Sequence, residues 1–182
     1  MRKSKINISG FKIGTAENRE GLTGVTVILA PDGGATAGVD VRGCAPGTRE
    51  TDLLDPRKTV QKIHAVVLSG GSAFGLEAAS GCVKYLAEQG VGFPIGNVCV
   101  PIVCSAVLFD LMIGDEKAYP DLLMGYEAAK SASSEFLSGC NGAGTGATVG
   151  KLLGFGNAMK SGAGYHEISL PCLLYTSDAA DE

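Results

Sequence analysis

His64 to Gly81 reads HAVVLSGGSAFGLEAASG. Ala65 to Leu68 is an apolar run of strand length, and Ser69-Gly70-Gly71-Ser72 turns the chain directly into a helical pattern. Apolar residues at Phe74/Leu76, Ala79, Cys82/Val83 and Leu86 recur every three or four positions, which predicts a helix with one buried face. Ser72 is the expected N-cap, and Gly90, after Gln89, the expected stop. A buried strand turning through glycines into a helix leaves backbone N–H groups at the end of a rigid scaffold. An anion or a developing oxyanion could sit there. The same glycines could instead serve only a tight turn and close helix–strand packing.

Working outward, 182 residues suit one domain with a substantial core. A hydrophobic content of 45%, a charged content of 19% and the lack of tryptophan describe a soluble globular chain. No apolar run reaches the length of about 18 residues that a membrane helix needs, so no membrane partner is expected. The start, MRKSKINISGF, is basic but has no apolar h-region or cleavage signal, so a cytoplasmic location is expected. Cys44, Cys82, Cys99, Cys104, Cys140 and Cys172 show no CxxC pair and no metal-type spacing, and are expected as reduced thiols. With only His64 and His166 available, a multi-histidine metal site is not expected. A net charge of −4 argues against a nucleic-acid partner. The 27 glycines are about 15% of the chain, roughly twice the usual share, and cluster where it turns.

The last stretch, Cys172 to Glu182 (CLLYTSDAADE), breaks from the composition before it. Its back-translation matches a transposon-end adapter used in sequencing libraries. The expectation is therefore a single α/β-layered domain over residues 1–171 and a non-native scar over 172–182. On that reading the gene was cut near Pro171 and the chain is an N-terminal fragment.

In chain order, Ile6 to Gly14 predicts a short strand with a glycine turn. Val25 to Ala30 and Ala35 to Val41, separated by Pro31-Asp32-Gly33-Gly34, predict a β-hairpin. The loop Arg42 to Pro56 carries Arg42, Arg49, Glu50, Asp52 and Asp55, either lining a cleft or forming a salt-bridged connection. Pro56 to Lys62 predicts the start of a short helix. Val91 to Val103 reads as strand bent at Pro94 and Pro101, extended by Ser105 to Asp110. Asp121 to Phe136 predicts a second helix.

Asn141 to Lys151 (NGAGTGATVGK) is a second glycine-rich stretch. As a P-loop it fails at Thr145 and Leu152. As a dinucleotide fingerprint it lacks a preceding strand, since Ser131 to Cys140 reads as helix and loop. A nucleophile elbow at Ser72 fails because Phe74 replaces its last glycine. Lys160 sits in an apolar, glycine-rich context, where a lysine is either desolvated and functional or simply solvated. Tyr165 to Leu170 predicts a short strand, and His166 has no assigned role.

Four segments in order are GLTGVTVIL from Gly21, RGCAPGTRETDLLDP from Arg42, HAVVLSGGSAFGLEAASG from His64 and NGAGTGATVGK from Asn141. Together they resemble the DmpA-type L-aminopeptidase/D-esterase family, which also holds β-peptidyl aminopeptidases and nylon-oligomer hydrolases. VPIVCSAVLFDL from Val100 fits as well, and the resemblance covers about Ile6 to Pro171. It implies an α+β fold, an αββα sandwich of the kind found in ornithine acetyltransferases and N-terminal-nucleophile hydrolases, incomplete here. It also implies a precursor that cuts itself before a serine or threonine, whose own α-amine then serves as base. No metal or organic cofactor is implied. The implied partners are a small peptide, amide or ester substrate, the missing β part of the same precursor, and further copies in a homo-oligomer.

In that scheme the chain is most of the α part and the nucleophile lies beyond Pro171, so Ser72, Thr145 and Thr148 are not cast as nucleophiles. The resemblance carries a catalytic lysine onto Lys160, although the family's K-G-G-[IV]-G-[TS]-A-S reads KSGAGYHEIS here. Ser69, Gly70, Gly71, Ser72, Gly142, Gly144 and Thr145 become the candidates for the substrate or oxyanion cleft. The alternative is a non-catalytic scaffold of the same fold that holds a small anion at Gly70-Gly71-Ser72. A relative performing acyl transfer in arginine synthesis is disfavoured, because no threonine-centred junction precedes Pro171. The isolated chain is expected to be inactive and to expose sheet edge and apolar face.

Overall fold

Val25, Val27 and Leu29 alternate with Thr26 and Ile28, and this alternation decides which side of the central sheet is covered. The computed structural model describes residues 2–8 and 10–166. Strands β1 (Arg2–Lys5), β2 (Lys12–Asn18), β3 (Thr23–Leu29), β4 (Thr48–Arg49) and β5 (Ala65–Ser69) come first. Helix α1 (Ala78–Glu88) leads through β6 (Phe93–Ile95) and β7 (Val98–Val100) to β8 (Val103–Val107). Helix α2 (Leu122–Lys130), β9 (Glu135–Ser138), β10 (Thr148–Val149) and β11 (Met159–Lys160) follow.

The central sheet has the order β2-β3-β5-β8-β4. Only β5 and β8 run parallel in it; the other pairs are antiparallel. The parallel pair needs a long crossover, and the segment containing α1 supplies it. On the helix side Val25, Val27, Ala65, Val67 and Val103 pack against Ala78, Ala79, Cys82, Leu86, Ala128 and Ala129. Glycines set how closely these layers approach. A Cβ on Gly14 would run into the Ala128 carbonyl of α2, so β2 and α2 meet backbone to backbone. Asp121 caps α2 by accepting the Met124 amide at 2.8 Å.

Among the described residues no α-helix lies on the opposite side of the sheet. Thr26, Ile28, Leu68 and Ala106 floor a groove of about 460 Å³, walled by Ile6 and by Phe136 of the β1–β9 ribbon. Leu68 stays 40% exposed on this face. The α+β expectation holds: one helix layer lies on one sheet.

Several sequence expectations need correction. Ala35 to Val41 is not the partner of Val25 to Ala30: Ala35 makes one bridge to Ile63, and both edges of β3 are taken, by β2 and β5. Pro56 to Lys62 forms turns and no helix. The second helix ends at Lys130, and Phe136 lies in β9 opposite Ser4. Val91 to Val103 is strand broken at Pro101 as expected, but Pro94 lies inside β6. The other reversal falls between Ile95 and Val98 as a β6–β7 hairpin, and Val103 already opens β8. Ser72 does not cap: Gly71 precedes a 3-10 turn over Ser72–Glu77 with no side-chain cap, and α1 begins only at Ala78. Phe74, expected on the buried face, is 59% exposed and stacks on Tyr119. Gly90 does stop α1, at a φ of +69°. In the charged loop Arg42 pairs with Asp40, Asp55 with Arg57, and Arg49 donates to the Ser80 hydroxyl on α1. That pattern is a connection tied to itself and to α1. The expected strand Tyr165 to Leu170 and the tail Cys172 to Glu182 lie outside the described residues, apart from Tyr165 and His166.

Candidate functional site

Strand β5 ends at Ser69, where the chain must leave the sheet and start toward α1. The Gly70 amide donates to the Gly24 carbonyl at 2.9 Å, and the Ser72 amide to the Leu108 carbonyl at 3.0 Å. Between them the Gly71 amide donates to Oδ1 of Asp110 at 2.6 Å. All three amides are therefore engaged inside the protein. This corrects the expectation of free N–H groups at Gly70-Gly71-Ser72. Gly71 adopts φ +78°, a conformation that suits glycine, and Ser72 follows at φ +53°, which is strained for a side-chain-bearing residue. Ser69 is 1% exposed, with its hydroxyl donating to the Gly70 carbonyl at 3.1 Å.

Asp110 is the residue that sequence reasoning missed. It is 3% exposed, and its Oδ2 accepts the Thr23 hydroxyl at 2.8 Å. A Cβ on Gly70 or on Gly146 would collide with the same Oδ2. The carboxylate thus fills a pit that exists because both glycine-rich stretches lack a side chain there. Its partners are 39 and 87 residues away, so no local pattern announces it.

The second stretch lies across β2 and β3. Asn141 donates to the Thr15 hydroxyl at 2.9 Å, Gly142 donates to Glu17 at 3.3 Å, and Ala143 donates to the Thr26 hydroxyl at 3.1 Å. A 3-10 turn over Gly142–Thr145 results. Thr145 is 4% exposed, and its hydroxyl has no hydrogen-bond partner among the described residues. The Lys160 ammonium donates to the carbonyls of Gly144, Ala147 and Ser161 at 2.8, 3.0 and 2.7 Å. Three donors meet three acceptors, so Lys160 straps the turn.

The fold therefore joins Gly70 and Gly71 to Gly146 through Asp110, and Gly144 to Lys160. Ser69 and Gly144 also line the groove on the open sheet face; Gly70, Gly71, Ser72, Gly142, Thr145 and Lys160 do not. His64, just before β5, is buried, with Nδ1 accepting the Ile102 amide at 3.0 Å, and burial pushes its pKa down. Among the described residues no serine or threonine hydroxyl is hydrogen-bonded to a histidine ring or a lysine amine. Among them, too, no group of three His, Cys, Asp or Glu lies placed to hold a metal, and no helix is long and apolar enough to cross a membrane.

Residues 5–167 match Peptidase family S58. The chain belongs to that family. The match takes in both glycine-rich turns, Asp110 and Lys160, and agrees with the DmpA-type resemblance read from the four segments. Over 131 residues the S58 chain is 47% identical to an uncharacterized aminopeptidase of Mycobacterium bovis, an alignment covering 72% of this chain and 38% of that protein. Over 149 residues it is 36% identical to a 6-aminohexanoate-oligomer endohydrolase of a Kocuria species, covering 81% and 39%. The S58 chain thus spans about two fifths of these relatives' length. In fold it is similar to a protein from Pyrococcus horikoshii, with a TM-score of 0.62 at 21% identity over 80% of this chain and 47% of that one. A Burkholderia β-aminopeptidase gives 0.57 at 18% identity over 80% and 45%.

Proposed function

We propose that this S58 chain supplies the N-terminal part of a peptidase or amidase that releases N-terminal residues from small peptides, amides or esters. The observation that carries the reading is the family match over residues 5–167. We infer further that the nucleophile is a serine or threonine freed by self-cleavage, from a segment following the described residues. Its own α-amine would take the hydroxyl proton as the hydroxyl attacks the substrate carbonyl. Several observations support this. Ser69 and Thr145 are buried, and the hydroxyls of Thr15, Thr23 and Thr26 are engaged with Asn141, Asp110 and Ala143. Of these only the Thr23 hydroxyl has a basic group beside it, the Asp110 carboxylate at 2.8 Å, and both residues are buried away from the groove. The open apolar sheet face is the kind of surface that a second sheet covers in a layered sandwich, consistent with a partner segment from the same precursor. The rival reading, an anion-holding scaffold at Gly70-Gly71-Ser72, lacks free amide donors.

The test compares the complete gene product with residues 1–171 on amino-acid p-nitroanilides and short amide oligomers. The complete product is expected to turn them over, residues 1–171 are not, and Ser72→Ala in the complete product is expected to keep activity. Turnover by residues 1–171 that disappears with Ser72→Ala would overturn the reading.

A further inference from the structure

Asp110 is a buried carboxylate without a cationic partner among the described residues. Burying such a group is costly unless its oxygens are hydrogen-bonded, and an apolar side chain would fill the same pit more cheaply. What an apolar side chain cannot do is accept on two sides at once. Oδ1 takes the Gly71 amide, and Oδ2 takes the Thr23 hydroxyl while resting against Gly70 and Gly146. Gly146 sits between Gly144 and Ala147, the residues whose carbonyls hold the Lys160 ammonium. Any shift of Gly146 therefore moves two of the three Lys160 acceptors.

We propose that Asp110 is a positioning residue for the hydrolysis inferred above, a role that rests on that reading. Its carboxylate locks the Gly70–Gly71 turn and the Gly144–Ala147 turn into one relative placement, and through the second turn it sets where Lys160 stands. The lock also fixes the separation of Ser69 and Gly144, which line the groove from the two turns. The coupling runs through contiguous contacts, and each link is open to substitution.

The test uses the complete gene product and the variants Asp110→Asn, Thr23→Val and Thr23→Ser. Thr23→Val removes only the donated hydroxyl, so it decides the matter if Asp110→Asn does not fold. Misplacing a reacting group by a fraction of an ångström lowers turnover without changing binding. The expected result is therefore a kcat about tenfold or more below wild type with KM within about twofold. Thr23→Ser keeps the hydroxyl and is expected to restore kcat. The double variant Asp110→Asn/Thr23→Val is expected to fall no further than the stronger single one, because both break the same link. Folded variants with wild-type kcat, or effects that multiply, overturn the proposal. Amide exchange gives a readout independent of turnover. Asp110→Ala, which removes both acceptor oxygens, is expected to speed exchange at Gly71 and also at Ala147, whereas an effect confined to Gly71 overturns the lock. A wild-type protein without hydrolase activity defeats the functional reading alone, and the exchange data still decide whether Asp110 couples the turns.

Discussion

Ile102 donates its amide to Nδ1 of His64 at 3.0 Å, while the His64 amide donates to the Ile102 carbonyl at 2.8 Å. The pair ties the chain just before β5 to the chain just before β8, at the start of the parallel strands. Nδ1 can accept only while unprotonated, and burial holds the ring's pKa below 6.5. A folded pKa below the unfolded one means that the unfolded chain binds the proton more readily. This contribution to stability is therefore present above about pH 6.5 and lost as pH falls through the folded value. The urea unfolding midpoint is expected to drop between neutral pH and about pH 5. His64→Asn, which keeps an acceptor near the place of Nδ1, is expected to flatten that slope. An unchanged slope would contradict the assignment.

Gly81 and Gly125 bring α1 and α2 together. A Cβ on Gly81 would meet the Leu122 carbonyl, and one on Gly125 the Ala78 carbonyl. In an exposed helix, glycine to alanine gains up to about 1 kcal/mol. Here the added methyl faces backbone, which cannot rotate away, so Gly81→Ala and Gly125→Ala are each expected to destabilise by about 1–3 kcal/mol. Urea unfolding measures it, and a gain in stability would show that the helices pack less closely than described.

Thiol reactivity should follow burial. Cys82 is fully buried, and burial pushes its pKa up to about 12, so it carries almost no thiolate near neutral pH. Cys44 and Cys140 are exposed. Brief alkylation of the native protein, read by peptide mass spectrometry, is expected to label Cys44 and Cys140 and to spare Cys82. Rapid labelling of Cys82 would mean that α1 leaves the sheet under native conditions.

What the sequence made legible was local. The strand and glycine turn of His64 to Gly81, the stop at Gly90 and the Asp121 start of α2 depend on residues within a few positions of one another. What it hid depends on distant partners. Ala35 to Val41 has a strand-like pattern, but β3 has no free edge, because β2 and β5 already occupy both. Glu135 to Ser138 continues a helical apolar spacing, yet pairing with Arg2–Lys5 makes it a strand. The candidate site shows the same division. Its two glycine-rich stretches were visible as composition, and Lys160 through the family resemblance. Asp110, which joins the two stretches, became visible only once Thr23, Gly71 and Gly146 were brought around it.

On the reading proposed above, this S58 chain is the N-terminal part of a self-processing hydrolase whose nucleophile comes from beyond the described residues. The most direct measurement is intact-mass analysis with N-terminal sequencing of the purified complete gene product, followed by its assay. Two polypeptides are predicted, the second beginning with serine or threonine, with activity lost when that residue is replaced by alanine. A single uncleaved chain that is fully active, or activity abolished by Ser72→Ala, would contradict the account.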